Sequence, residues 1–492
     1  MSKLSRRDFM KGTMAVGAGL AMAGPATRVL GANDEIRLAT IGVGGQGSYH
    51  TRIFSGIPGV RYVAVCDADQ AHVDGRVKYF ADKGIKVDGY TDMRRLLDRK
   101  DIDAITSATP NHWHALTTVW ACQAGKDVYI EKPASHEIWE GRKMVEAARK
   151  YDRIVQIGTQ KRSSKAHPAA FAWIREGHIG KVKWVRGFCY KKRGPGTNGI
   201  VHGTNGPIPV PDSVNYNLWS GPADMMPLNR TQLHYVWHWV WNTGCGDIGN
   251  QGPHEMDIGR WALGDPGLPR HCFSIGGRFG CRQTDDIGET ANTQIAYFDY
   301  KPAPLIFEVR GLPAQKGVRH MDNYRRTGVS IGDFVQCEGG YFACGDAGGW
   351  IYDDHGKKIK QFVGRGGAGH HENFIKAVRD HDRSELNADI EVGHLSASLC
   401  HMANTSYRLG KKATPDEIKK AIGDNSDMMD SFDRMLEHLA ANEVDLNKEP
   451  ITVGPMLTMD AQQEKYVGDY SEMANMYLKR NYREPFTVPD QV

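Results

Sequence analysis

Residues 36–67, IRLATIGVGGQGSYHTRIFSGIPGVRYVAVCD, constrain the fold more than any other stretch. Ile36 to Ile41 is a short apolar run, the pattern of a fully buried strand. It leads straight into Gly42-Val43-Gly44-Gly45-Gln46-Gly47, which is G-x-G-x-x-G. A helix-compatible segment follows from Ser48 to Phe54, and a second β-rich run, Tyr62 to Val65, ends at Cys66-Asp67. In this context each glycine has a role. Gly42 permits the tight turn, Gly44 lets the backbone approach a pyrophosphate, and Gly47 lets helix and strand pack closely. The helix N-terminus offers unpaired N–H groups and partial positive charge to phosphates. Asp67 lies about twenty residues past the last glycine, where a carboxylate accepts hydrogen bonds from an adenosine ribose 2′-OH. It would repel a 2′-phosphate, so NAD is expected rather than NADP. Residues 42–47, with Val43, Gly45 and Gln46 among them, and Asp67 are the first cofactor-binding candidates. In a chain with 56 glycines the motif alone would mean only a glycine-rich turn. The strand before it, the helix after it and the acid at the next strand end give it its force.

The chain has 492 residues, enough for two cores. Net charge is +4 with acids and bases nearly balanced, which gives no argument for nucleic acid. Mean hydropathy is −0.50, and no uncharged apolar run reaches spanning length. Nine cysteines without Cys-x-x-Cys or zinc-ligand spacing argue against a metal centre or a disulfide framework, leaving open one pair such as Cys337 with Cys344.

The first thirty or so residues are not expected to belong to the fold. Ser5-Arg6-Arg7-Asp8-Phe9-Met10-Lys11 reads as a twin-arginine export signal, followed by an uncharged Gly/Ala/Met-rich stretch, Gly12 to Thr27. Cleavage near Ala23 or near Ala32 fits equally well. The expected location is periplasmic or otherwise exported, by way of the twin-arginine machinery. That route carries folded proteins, so a tightly held cofactor can be loaded before export.

Beyond Asp67 the strand–helix rhythm continues. Asp69 to Lys83 reads as a helix and Tyr90 to Asp98 as a short strand and helix. Ala104 to Ala108 is a buried strand that delivers Thr109-Pro110-Asn111-His112-Trp113-His114 to its carboxyl end. Asp127 to Ile130 delivers Glu131-Lys132-Pro133 to the same edge, where open parallel sheets bind ligands. A helix from Ile138 to Lys150 and a strand from Ile154 to Ile157 complete the unit, and Gly158 to Ser163 leaves from that edge. The rhythm then changes. Residues 181–190 alternate as a strand, Gly194 to Pro222 read as loops, and His234 to Trp241 form an aromatic-dense, strand-like run. A helix is expected over Pro253 to Leu263. The strands that follow lack intervening helices, the mark of an antiparallel sheet in an α+β domain. The tail from Lys411 to Val492 reads as mostly helical and polar.

The arrangement resembles the Gfo/Idh/MocA family, named for glucose–fructose oxidoreductase and inositol dehydrogenase. The matching residues are Gly42 to Gly47, Ala108-Thr109-Pro110-Asn111-x-x-His114, Glu131-Lys132-Pro133, and Gly246-Asp247-Ile248-Gly249 through His254-Glu255-Met256-Asp257. Order and spacing fit over about residues 35–410. The resemblance implies α/β plus α+β architecture: an N-terminal Rossmann domain, and a C-terminal open, mostly antiparallel sheet whose face covers the nicotinamide. It implies sugars, sugar derivatives or cyclitols as substrates, and homo-oligomers paired through the open sheet. The expected divisions are 1–32 for the signal, 33–160 for the NAD-binding domain, 161–410 for the substrate and oligomerisation domain, and 411–492 for a mostly helical extension.

Oxidising a secondary alcohol requires a hydride acceptor and a base. The family's catalytic lysine carries over to Lys132. Its ordinary pKa is about 10.4. Burial beside a pyridinium ring is expected to lower it toward a useful value. His254 is the second catalytic candidate. Many relatives place an Asp four residues before this His; here Asn250 stands there, which hydrogen-bonds but takes no proton. Pro253 suits a first helical turn, so Asn250 is expected to precede the helix proper. Asp257, one turn beyond, is a candidate to orient His254, and Asp247 is a possible stand-in for the missing acid. Thr109, Pro110, Asn111, His114 and Glu131 are expected around the cofactor, with Gln160 and Arg162 reaching nicotinamide or substrate. Lys191, Lys192 and Arg193 are either an acid-binding cluster or a solvated rim. Trp237, Trp239 and Trp241 are either a sugar-stacking platform or core, with Trp237 the substrate candidate. His370-His371-Glu372 invites a metal but reads better as a helix start near the site.

Three functions fit these residues. One is an exported NAD-dependent oxidoreductase acting on a sugar. Another is a redox-neutral glycosidase that oxidises transiently, eliminates, hydrates and returns the hydride. The third is a cofactor-binding sensor without catalysis, for which Asn250 speaks and against which Lys132 speaks.

Overall fold

The computed structural model describes residues 35–281 and 284–492, and the expected signal segment lies outside them. The N-terminal sheet holds six strands: β1 (Ile36–Ile41), β2 (Val60–Cys66), β3 (Asp88–Tyr90), β4 (Ala104–Ser107), β5 (Asp127–Ile130) and β6 (Val155–Ile157). All pairings are parallel, in the order β3-β2-β1-β4-β5-β6. The order reverses between β1 and β4, which opens a crevice at their carboxyl ends. The glycine loop lies there. Gly42 has φ of +77°, and a Cβ on it would sit 2.8 Å from the Thr109 nitrogen. A Cβ on Gly47 would sit 1.7 Å from the Gly42 carbonyl oxygen, so the helix Gly45–Phe54 packs on the turn only as glycine. The next helix, Gln70–Ala81, is N-capped by Asp69, whose side chain accepts from the Ala71 N–H.

The second sheet begins with β7 (Val182–Tyr190), β8 (His271–Gly277), β9 (Thr293–Phe298) and β10 (Leu305–Arg310). It continues with β11 (Ile331–Cys337), β12 (Gly340–Gly345), β13 (Gly348–Asp353) and β14 (Lys358–Val363). It is antiparallel except where β10 runs parallel to β7. The helix Gly252–Ala262 packs across β7, β10 and β11. The long helix Ile390–Arg408 packs on it, on β8 and on the helix Ile138–Lys150 of the Rossmann sheet. One element thus joins both sheets, and its buried face sets the distance between them.

Two expectations need correction. The tail is not a mostly helical appendage. After the helices Pro415–Ile422 and Ser426–Ala441 come more strands, and β15 (Lys411–Ala413) with β16 (Ile451–Val453) extends the second sheet beyond β8. β17 (Leu457–Asp460) also pairs with β8, and β18 (Lys465–Val467) pairs with β17. These runs are only three or four residues long, too short to show a period. The aromatic run is not a strand either. Val236–Trp239 is a 3₁₀ turn entered by Tyr235 at φ of +65°. His238 N–H donates to Tyr235 O and Thr243 N–H to Val240 O, while Trp239 O accepts from the Glu289 and Thr290 N–H groups at 2.9 and 3.3 Å, so the run is tied down without forming a ladder. Cys337 and Cys344 are buried free thiols, as are the other seven cysteines.

The loops expected over 194–222, together with the chain that follows as far as His238, form a strap rather than a fringe. Gln70 N–H donates to Ser213 O and Asn215 N–H to Ala68 O, each at 2.8 Å, at one side of the crevice. On the other side Trp113 Nε1 donates to Leu218 O and Trp219 O, both at 3.1 Å. The C-terminal tail braces the strap: Arg483 Nη1 donates to Asn217 Oδ1 at 2.6 Å, and Phe486 packs on Trp113.

Candidate active site

A cleft of about 580 Å³ runs along the crevice, within the range of cofactor and small-ligand sites. It is lined by Gly42, Gly44, Gly45 and Gln46 at one wall and by Asp67 at one end. Thr109, Pro110, Asn111, His114, Glu131, Lys132, Gln160, Trp237, Asn250 and His254 complete the residues expected from sequence. Val43 and Gly47 do not line it; they shape the loop from behind. Val43 N–H donates to Asp67 Oδ2 at 2.8 Å, tying the loop to the end of β2.

Glu131 and Lys132 leave β5 side by side. Burial pushes the Glu131 carboxyl up, but hydrogen bonds from His50 (3.0 Å) and Gln46 (3.0 Å) and the Lys132 charge hold it at about 2. Glu131 therefore stays ionised and pins the glycine-loop helix to the lysine turn. His114 places a ring nitrogen 2.6 Å from Pro133 O and the other 3.0 Å from Thr109 O, linking the two strand ends.

The Lys132 Nζ donates to Asn250 O at 2.6 Å and lies 3.2 Å from Asn250 Oδ1. Asn250 ends the short helix Gly246–Asn250, and Gln251 separates it from the helix bearing His254. The proline at 253 and this break remove the four-residue helical register between Asn250 and His254. The Asn250 amide is fixed in turn: its Nδ2 donates to Asp247 Oδ1 at 3.2 Å. Asp247 is fully buried and receives Arg193 Nε and Nη2 at 3.1 and 3.0 Å. Arg193 thus belongs neither to an acid-binding cluster nor to a rim, and Asp247 orients the amide from outside the cleft lining. Burial lowers the Lys132 pKa, and burial together with the Lys132 charge lowers that of His254 well below its ordinary value. Among the described residues His254 Nδ1 has no hydrogen-bond partner, nor does Asn111 Oδ1. Both are buried polar atoms in residues that line the cleft.

Asp257 and Arg162 are placed elsewhere. Arg162 Nε and Nη2 meet the two Asp257 oxygens at 2.7 and 2.9 Å, Asp265 caps the guanidinium, and Trp261 stacks on it. Ser396 Oγ donates to Asp257 at 2.7 Å. Asp257 does not orient His254 and Arg162 does not reach the cleft, because one helical turn beyond His254 points into the core that faces Ile390–Arg408. His370 begins the helix His370–Asp380 and contacts Ser163 Oγ and Ile157 O.

The strap adds Leu218, Trp219, His234, Tyr235 and His238 to the lining, and His72 joins from the Rossmann side. Trp237 stacks on His238 at 3.6 Å in the cleft, whereas Trp239 is buried, its Nε1 donating to Asn198 O. Burial lowers the His238 pKa to about 3. Sequence spacing gave no signal for these residues, since strap and Rossmann sheet are far apart along the chain.

The site fits a dinucleotide on its own terms. The loop walls close against any Cβ at Gly42 or Gly47, while Gly45 faces open space.

Comparison with known proteins gives the same picture. Residues 36–159 match the oxidoreductase family model described as an NAD-binding Rossmann fold, and 180–297 match that family's C-terminal alpha/beta domain. Residues 3–23 match the twin-arginine translocation signal model. An alpha-N-acetylgalactosaminidase from Shewanella oneidensis is 26% identical over 263 residues, 44% of this chain and 56% of that protein. The scyllo-inositol 2-dehydrogenase (NAD(+)) of Bacillus subtilis is 28% identical over 170 residues, 34% of this chain and 48% of that protein. The chain thus spans about half the length of these curated relatives. The fold is that of the WlbA dehydrogenase from Bordetella pertussis, solved with NADH and UDP-GlcNAcA (TM-score 0.55, 18% identity, covering 76% of this chain and 97% of that one). A levoglucosan dehydrogenase solved with NADH and levoglucosan is similar (TM-score 0.54, 16% identity, 75% and 96%). With both domain models matched in order around the lysine-bearing cleft, behind a signal for export, this chain belongs to the Gfo/Idh/MocA oxidoreductase family.

Proposed function

We propose that this protein oxidises a secondary hydroxyl of an uncharged sugar or sugar derivative outside the cytoplasm, with NAD held in the cleft. The observation that carries this reading is the Lys132–Asn250 contact. A neutral amine has two N–H bonds and one lone pair. With both N–H bonds turned to Asn250 O and Oδ1, the lone pair is left for a substrate hydroxyl. The amide adds no negative charge, so it does not stabilise the ammonium as a carboxylate would. Bound NAD supplies a hydride acceptor for the carbinol carbon. Lys132 takes the hydroxyl proton and becomes the ammonium. His254, held neutral, accepts a second hydroxyl at Nδ1 and fixes the sugar's orientation. Residues 42–47 hold the pyrophosphate and Asp67 the ribose, which favours NAD over NADP.

Charge defines the substrate class. Among the described residues, Lys132 is the only lysine or arginine lining the cleft, against Asp67, Asp92 and Glu131. A uronate or nucleotide sugar would find no guanidinium there, whereas Trp237 and neutral His238 offer faces to a pyranose ring. Native mass spectrometry and an absorbance scan are expected to show bound dinucleotide that becomes reduced on adding neutral glycosides and not on adding uronides. Reduction by uronides alone would overturn the class, and a purified chain that neither retains nor binds dinucleotide would overturn the function.

Asn250→Asp tests the geometry. The new carboxylate raises the Lys132 pKa, so the acid limb of kcat/KM is expected to move about 1–3 pH units higher. Activity at neutral pH then falls and returns in alkali. An unmoved limb would separate Asn250 from the base.

A redox-neutral glycosidase is the second reading. The alpha-N-acetylgalactosaminidase relative and the strap across the cofactor crevice favour it. Release of the aglycone from an aryl glycoside without added NAD, and with no ketosugar, would select it.

A further inference from the structure

At the end of the cleft marked by Asp67, three potential metal ligands from two distant parts of the chain converge. Asp69 Oδ1 is spent on the Ala71 N–H of its own helix, at 3.0 Å. Its Oδ2 remains, 2.9 Å from His234 Nε2 and 4.0 Å from His72 Nε2. The ligand atoms of all three residues lie within 4.8 Å of one another. The two imidazole rings are 4.5 Å apart, tilted by 43°. Asp67 Oδ2 stands 3.3 Å behind His72, at Nδ1. A carboxylate there keeps the proton on Nδ1 and turns the Nε2 lone pair toward Asp69 and His234. This is the outer-shell arrangement that orients histidines on metals.

We propose that Asp69, His72 and His234 form a divalent transition-metal site, suited to Zn²⁺, that clasps the strap onto the Rossmann domain. Two imidazoles and one carboxylate are a donor set of this metal class. Zinc bonds of about 2.0–2.2 Å require ligand atoms roughly 3–3.5 Å apart. The Asp69–His234 pair, at 2.9 Å, lies just inside this spacing and opens by a few tenths of an ångström, and the others close with about an ångström of side-chain movement. Both rings have that freedom: the His72 and His234 side chains are 30% and 42% exposed, while Asp69 is buried. The open side faces solvent and the cleft, so water completes the coordination. His234 and Asp69 are 165 residues apart in sequence, so the metal would cross-link the strap to the β2–helix connection. It would stand at the ribose end of the dinucleotide and slow its exchange. The site does not depend on the reaction proposed above, since it is read without substrate.

The test uses tag-free mature protein, freed of metal by chelator dialysis, with and without bound dinucleotide. Titration with Zn²⁺ by calorimetry and elemental analysis is expected to give one ion per chain, and Co²⁺ is expected to give visible d–d absorption. His72→Ala and His234→Ala, checked for native circular dichroism, are each expected to weaken binding by more than about 100-fold. Asp67→Asn is expected to cost about 10–100-fold through the outer shell. With Zn²⁺ bound, amide exchange over residues 211–235 is expected to slow. Equal binding by wild type and either histidine variant would place the metal elsewhere and overturn the proposal. So would wild-type binding no tighter than millimolar. Should one variant misfold, the other and the Co²⁺ spectrum decide.

Discussion

Lys132→Ala is expected to lower turnover by about 10²–10⁴-fold while leaving the bound dinucleotide in place. The side chain touches Asn250 and the cleft, whereas the glycine loop is held by Glu131, Gln46 and Asp67. Lys132→Arg should fail as badly, because a guanidinium does not give up its proton near neutrality. The sign of the pH dependence follows from the burial of the amine. Burial disfavours the ammonium and lowers the pKa, and the base is the neutral form. In the native protein kcat/KM should therefore rise with pH through a limb centred below the ordinary lysine value of about 10.4. That limb should be missing from whatever activity Lys132→Ala retains. Steady-state kinetics across pH, beside native mass spectrometry of the holoprotein, measures both. Unchanged turnover would remove Lys132 from the chemistry, and lost dinucleotide would make it a binding residue.

Asp257→Ala is expected to destabilise the fold by about 3–5 kcal/mol, read by urea unfolding of the holoprotein. Asp257 is fully buried and accepts from Arg162 and Ser396. Removing it leaves the guanidinium with Asp265 as its remaining carboxylate and takes away the acceptor of the Ser396 O–H, whose oxygen still receives Arg260 Nη1. The penalty for a buried, half-paired charge exceeds what the lost contacts were worth. The double variant Asp257→Ala with Arg162→Met should recover part of the loss, because it removes the stranded charge as well. Wild-type stability with collapsed turnover would instead return Asp257 to the catalytic role that its spacing from His254 suggests.

The contrast between Lys132 and Asp257 shows where sequence reasoning succeeds. Lys132 was legible because a strand end is a local feature. A buried apolar run, a parallel sheet and the carboxyl edge of that sheet follow from period and order alone. The same logic places Gly42, Gly44, Gly45, Gln46, Thr109, His114 and Glu131 on the cleft. Asp257 escapes sequence reasoning because a three-residue spacing from His254 names a helix face without saying what that face meets. Arg162 and the helix Ile390–Arg408 supply the answer, and they are remote in sequence. Trp237 and Trp239 make the same point at shorter range. Alternation suggests one face of a strand; a 3₁₀ turn instead sends one ring to the cleft and the other to the core.

From its sequence alone this chain is committed to a dinucleotide-type crevice, a lysine beside it, an antiparallel second sheet and an export signal. All four rest on short-range patterns of hydrophobicity, glycine and charge. The tertiary structure decided the rest: that the glycine-rich loops form a strap, that the tail extends the sheet, and that His72, Asp69 and His234 meet. Those outcomes depend on long-range contacts, whose closure in space leaves no periodic trace along the chain.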